Sequence, residues 1–165
     1  MSGMHAQPTG PAFDIVLLLH VGCVVAGLAT VVTSAATASR VRRLIGANSP
    51  LPETVTRYFR PGTNWAGRVM YGIPVFGFIL LAMSQGAYGL SDAWVMIGLS
   101  IFVVVVLLGE GVLWPAERRI QVGLSSLEED GVADAVAHDA QLIVRSATVA
   151  LVLLIAGTVI MVAQP

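Results

Sequence analysis

The chain has 165 residues, of which 56% are hydrophobic and 12% are charged, and its mean hydropathy is +0.81. A soluble domain of this size needs a larger share of polar residues to cover its surface, so the composition indicates an integral membrane protein. The formal net charge of -1 offers no general attraction for nucleic acid. The single cysteine, Cys23, excludes a disulfide bond within the chain.

Four apolar runs follow one another along the chain, at about residues 13–34, 69–87, 93–114 and 142–163. Each has roughly 19–22 residues, the length that a helix needs to cross about 30 Å of hydrocarbon. Backbone polar groups inside a bilayer must all be hydrogen-bonded, which favours helices. We therefore predict an all-α, polytopic four-helix bundle that forms a single membrane domain. Its longer links would be residues 35–68 and 115–141.

The positive charges predict the orientation of this bundle. All nine are arginines, and they fall within residues 40–68 and 118–145. Because positively charged links stay in the cytoplasm, we expect both links inside and both termini outside. The first apolar run precedes Arg40 instead of following a cation, so we expect a retained helix and not a cleaved signal peptide. The absence of lysine, together with a high content of Ala, Val and Gly, is typical of a GC-rich bacterial genome. We therefore expect that the membrane of this multi-pass protein is the bacterial plasma (inner) membrane.

Both long links contain helix signals. In the first link we expect a short helix from Glu53 to Phe59, either lying on the bilayer surface or replaced by an ordinary loop with buried aromatic residues. In the second link, Ser125 and Ser126 each stand three residues before a glutamate, which is a capping-box pattern. We therefore predict a helix that begins near Ser126 and continues into the fourth span.

Two ionisable residues, His20 and Glu110, lie inside the apolar runs, where charge is costly and function is the first hypothesis. At about 1.5 Å per residue, their depths differ by roughly 14 Å, so we do not expect a direct pair. Arg68 opens the second span on the same side as Glu110, which predicts a structural ion pair between Arg68 and Glu110. A proton or ion transport site at Glu110 is the alternative.

His20 is the candidate cofactor contact. An imidazole in a helical bundle can ligate haem iron, hydrogen-bond to a quinone, or simply bond to a neighbouring group in the core. Cys23 follows on roughly the same face, but the two together are only half of a metal site. No span contains a second histidine, so a bis-histidine haem b would require one His20 from each chain of a homodimer. We find no residue pattern typical of a catalytic site or a metal site.

Three segments carry a family resemblance. They are Leu19-His20-Val21, the stretch from Arg57-Tyr58-Phe59-Arg60 through Trp65 to Val75, and Leu113-Trp114-Pro115-Ala116-Glu117-Arg118-Arg119. With them, most of the chain resembles a family of bacterial predicted integral membrane proteins classed as a domain of unknown function, distantly similar to the copper-resistance D-like membrane proteins. The resemblance implies a four-helix membrane bundle and no established reaction. A metal or haem role in those relatives would depend on histidines, of which this chain has only His20 within its spans.

The sequence therefore favours a non-enzymatic accessory or assembly subunit of a membrane complex, surrounded by lipid and associated with other membrane subunits or a second copy of itself. A haem- or quinone-associated redox protein centred on His20 is the first alternative. A small proton or ion transporter that uses Glu110 is the second.

Overall fold

The protein is a bundle of α-helices in the computed structural model, which describes residues 10–62 and 65–163. The helices are α1 (Pro11–Gly46), α2 (Glu53–Tyr58), α3 (Trp65–Arg68), α4 (Gly72–Met83), α5 (Ala93–Leu108), α6 (Trp114–Gly123) and α7 (Val132–Ala163). A 3-10 turn, Val69–Tyr71, joins α3 to α4, and a π-helical turn, Gly109–Leu113, joins α5 to α6.

Four helical segments are long and apolar enough to cross a membrane: Pro11–Gly46, Trp65–Met83, Ala93–Gly123 and Val132–Ala163. The described part of the chain contains no β-strand. The predicted all-α, four-helix membrane bundle is thus confirmed, and the chain is a multi-pass membrane protein. Large apolar side chains such as Leu18, Leu107 and Val159 are 60–72% exposed, as expected for side chains that face lipid.

Helices α1 and α7 form the centre of the bundle. Helix α4 packs on α1, and α5 and α6 pack on α7, whereas α4 and α5 have little direct contact within the described residues. The two central helices are 36 and 32 residues long, or about 54 and 48 Å at 1.5 Å per residue. They therefore continue well beyond an apolar layer of about 30 Å.

The extra length lies at the end that carries Arg40–Arg68 and Arg118–Arg145, which we call the arginine end. The opposite end carries the turn between α4 and α5. The best-packed core is at the arginine end, where Ala38, Val41 and Ile120 are fully buried. By contrast, α4 contains no buried residue. Lipid can surround apolar side chains in place of protein, so a helix such as α4 can lack buried residues.

Helix α2 shows how the first link joins this core. Val55 and Phe59 are each 2% exposed and belong to the same buried cluster as Val41. The short helix ends at Tyr58 and packs its apolar side on the protein. The first link thus contains a short helix at the predicted position. It also contains a buried aromatic residue, Phe59, as the alternative of a loop with buried aromatic residues had predicted.

Two predicted helix boundaries are wrong. Helix α7 begins at Val132, not near Ser126, and residues 124–131 form consecutive turns. Gly131 has a positive φ of 80°, which interrupts an α-helix. The second apolar run extends to residue 87, but its helix ends at Met83, because Gln85 and Gly86 adopt left-handed turns with φ of 52° and 88°.

Candidate functional site

The main candidate site is a cavity of about 530 Å³ toward the opposite end of the bundle. Helices α1, α4, α5 and α7 all contribute to its wall, together with Tyr88 and Leu90 from the turn between α4 and α5. Ligand pockets typically have volumes of about 300–1,000 Å³. The wall is mostly apolar, and its polar side chains are His20, Tyr88, Trp94 and Thr158.

His20 has a fixed orientation in this wall. Its Nδ1 atom lies 2.8 Å from the Ile73 carbonyl oxygen on α4. A carbonyl oxygen can only accept, so Nδ1 must donate and must carry the hydrogen. A β-carbon at position 77 would lie 3.4 Å from His20 Cε1, so Gly77 lets α4 approach the imidazole ring closely. Nε2 is therefore the ring nitrogen left for a ligand in the cavity that His20 lines.

Of the other polar side chains of the wall, Tyr88 and Trp94 lie near the turn between α4 and α5, and Thr158 is hydrogen-bonded to the backbone. Tyr88 and Trp94 meet edge to face with ring centroids 5.5 Å apart. The Thr158 hydroxyl donates to the Leu154 carbonyl oxygen at 2.8 Å. His20 is thus the only titratable side chain that contributes from within a helix to the described wall.

The wall does not fit haem b. No arginine lines its described part, and the chain has no lysine, so the two haem propionates would have no cationic partner there. Met161 lines the cavity, but its side chain packs against Gly98 on α5, and the described wall contains no second histidine. An uncharged lipophilic molecule matches the apolar wall and its single imidazole better.

Glu110 lies at the other side of the membrane region, in the π-helical turn. The structure brings Arg68 and Glu110 together, with Arg68 Nη1 2.9 Å from Glu110 Oε1. The Tyr71 hydroxyl donates a short hydrogen bond to the same oxygen. The Arg68 guanidinium carbon also lies 4.0 Å from the Trp114 ring centroid, a cation–π contact. The side chains of Arg68 and Glu110 remain 28% and 47% exposed, so this pair lies at the bundle surface.

Glu117 is a site residue that sequence reasoning missed. It is only 6% exposed, and its Oε1 accepts hydrogen bonds from Ser34 (2.8 Å) and Tyr58 (3.3 Å). A water-sized cavity of about 30 Å³, which Thr30 also lines, adjoins it. Glu117 therefore joins α1, α2 and α6 through one carboxylate. It lies in an amphipathic helix beside Ala116 and Ile120, which the structure shows to be fully buried.

A second carboxylate, Asp139, holds α7 to α6. Arg119 Nη2 lies 2.7 Å from Asp139 Oδ1, and Arg119 Nε contacts both carboxylate oxygens at 2.9 and 3.0 Å. The Asp139 side chain is 8% exposed, whereas that of Arg119 is 54% exposed. This bidentate pair fixes the relative position of the two helices at the arginine end.

Cys23 packs against Gly72 at the start of α4 and does not line the cavity. Among residues 10–62 and 65–163, no group of three or more His, Cys, Asp or Glu side chains is arranged to hold a metal ion. His20 and Cys23 therefore share a helix face without sharing a site.

Comparison of the chain with protein families, with curated proteins and with solved structures finds no match.

Proposed function

We propose that this chain is a non-enzymatic accessory protein of the bacterial plasma membrane that binds an uncharged lipophilic ligand of the quinone class. The cavity of about 530 Å³ carries the proposal, because it is apolar, is lined by four helices and contains one oriented imidazole. Its size suits the ring of such a ligand. The proposal combines the accessory role favoured by the sequence with the quinone alternative centred on His20.

The packing of the bundle supports a binding role. The arginine end has a dense core that includes Ile143 and Ala147, both fully buried, while most residues that line the cavity are half-buried or exposed. A rigid scaffold at one end and a cavity at the other is the arrangement expected of a protein that holds a small molecule. In this proposal the arginine end faces the cytoplasm and the cavity lies in the outer half of the membrane.

Trp94 provides a direct test, because it lines the cavity and a bound quinone quenches indole fluorescence. Protein in a mild detergent is titrated with a benzoquinone that carries a ten-carbon tail. We expect saturable quenching that is lost in Trp94→Phe, although Trp65 and Trp114 remain. Thr158→Phe, which fills the cavity with a larger side chain, should weaken binding at least tenfold. Quenching that never saturates, or that is unchanged in Thr158→Phe, would contradict the proposal.

The accessory role has its own test. The protein is extracted from its native membrane in a mild detergent, and the mass of the complex is measured together with its subunit composition. We expect a defined partner complex that carries the quinone-class molecule with it. A monomer in several detergents would count against the accessory role and leave ligand binding intact.

A further inference from the structure

We infer that the ligand is a hydroquinone-type amphiphile, which binds with a ring hydroxyl donating to His20 Nε2 and with its tail leaving the bundle between α4 and α5. This inference rests on the proposed function and specifies the chemistry of the bound form. It distinguishes a reduced ring, which has hydroxyl donors, from the oxidised ring, which has only carbonyl acceptors.

The imidazole of His20 has a defined hydrogen-bonding state. Because Nδ1 donates to the Ile73 carbonyl oxygen at 2.8 Å, a neutral His20 has its lone pair on Nε2. No acidic residue is among the described residues of the wall, so none there balances the charge of an imidazolium ring. The neutral ring offers the cavity an acceptor and no donor.

The ligand group that complements this acceptor is a hydroxyl. An acceptor in an apolar wall gains a hydrogen bond from a hydroxyl and gains nothing from a carbonyl. The Thr158 hydroxyl already donates to the Leu154 carbonyl oxygen at 2.8 Å, so it does not offer its hydrogen to the ligand. Tyr88 and Trp94 can donate only near the end of the cavity formed by the turn between α4 and α5. A ring that reaches His20 is therefore bound best when it carries a hydroxyl.

The ligand tail has a route out of the bundle between α4 and α5. Helix α4 packs on α1 and α5 packs on α7, while α4 and α5 line the same cavity with little direct contact between their described residues. Phe78 on α4 lines the cavity and is 47% exposed, so the wall at this point also faces lipid. A molecule dissolved in the bilayer can enter here without crossing water, and an apolar tail can remain in the lipid.

The test compares three molecules with the same ten-carbon tail: a benzoquinol, the matching benzoquinone, and the quinol with both hydroxyls methylated. For molecules whose ring absorbs the indole emission, affinity is measured by quenching of Trp94 fluorescence. For the others, it is measured by displacement of the bound benzoquinone. We expect the quinol to bind about fivefold more tightly than the other two, which is the ratio that one additional hydrogen bond of about 1 kcal/mol provides. In His20→Phe the three affinities should become equal, while Glu110→Gln, outside the cavity, should retain the preference.

The outcomes separate the two proposals. If none of the three molecules binds saturably, the proposed function fails. If all three bind equally to the wild-type protein, the lipophilic site stands and the hydroquinone inference is overturned. Tighter binding of the quinone would also overturn it, since His20 would then have to act as a donor. A preference for the quinol that persists in both His20→Phe and His20→Ala would assign the hydroxyl contact to another residue and overturn the inference as well.

Discussion

Ser34 and Glu117 are 83 positions apart in the chain, and the Ser34 hydroxyl donates a 2.8 Å hydrogen bond to the Glu117 carboxylate. Both residues are almost fully buried, at 5% and 6% exposure. Together with Tyr58, they form a polar junction inside the otherwise apolar core of the arginine end. A buried carboxylate is stable only while its hydrogen-bond partners are present.

We expect Ser34→Ala to lower the free energy of unfolding by about 1–3 kcal/mol, because it removes a hydroxyl that donates a hydrogen bond to a buried carboxylate. Thr33→Ala is the matched control, since Thr33 is exposed and its hydroxyl donates to the Ala29 carbonyl oxygen of its own helix. It should change stability by less than about 0.5 kcal/mol. The measurement is reversible unfolding in mixed micelles. Equal effects of the two substitutions would show that the Glu117 junction does not contribute.

The contact between Cys23 and Gly72 gives a second prediction. A β-carbon at position 72 would collide with Cys23 Sγ, so Gly72→Ala should separate α1 from α4 and cost about 1–3 kcal/mol. In a Cys23→Ala background the collision disappears, and most of the loss should be recovered. Gly22→Ala, which meets nothing within 4 Å, should be neutral or slightly stabilising. Failure of Cys23→Ala to rescue Gly72→Ala would contradict the predicted helix contact.

Two substitutions in the cluster around Arg68 distinguish the contribution of charge to stability from the contribution of packing. Since the Arg68 and Glu110 side chains are partly exposed, Glu110→Gln should cost less than about 1 kcal/mol. Trp114→Ala removes the ring beside Arg68 and Gly109, and should cost about 3 kcal/mol. The same Glu110→Gln protein, reconstituted in liposomes, tests the transport alternative. A proton or ion flux that Glu110→Gln abolishes would support it, and we expect none that depends on this residue.

The predicted orientation can be measured by thiol labelling. In a Cys23→Ala background, Ser91→Cys places a thiol in the exposed turn at the opposite end, and Ser125→Cys places one at the arginine end. In intact spheroplasts, a membrane-impermeant maleimide should label position 91 and leave position 125 unlabelled until the membrane is permeabilised. The reverse pattern would invert the bundle and place the cavity in the inner half of the membrane.

The spans were predictable from the sequence because hydropathy and helix length in a bilayer depend on local composition alone. The start of α7 was not, because the capping signals at Ser125 and Ser126 compete with the left-handed turn at Gly131. Apolar runs also show where lipid surrounds a helix but not where the helix stops. For this reason the dense arginine end, with Val41 and Ile120 fully buried, was predicted as links.

The candidate site was partly predictable. His20 stood out because an ionisable residue in an apolar run is rare. Its hydrogen bond to the Ile73 carbonyl oxygen and its place in a cavity depend on four helices that are distant in the chain, and local pattern does not contain that information. Glu117 was missed because a glutamate among arginines resembles a solvated helix face. Only the packing of α1 and α2 around it shows that it is buried.

The π-helical turn Gly109–Leu113 changes the rotation of α6 about the helix axis relative to α5. In a regular α-helix, residues 110 and 117 would lie on one face, because seven residues make about two turns. One extra residue in the wide turn rotates α6 relative to α5 by roughly 100°. Pro115 favours this turn, since it cannot donate to the helix and crowds the carbonyl group four residues earlier. The π-helical turn thus separates two environments: Glu110 faces outward beside Arg68, whereas Glu117 enters the core.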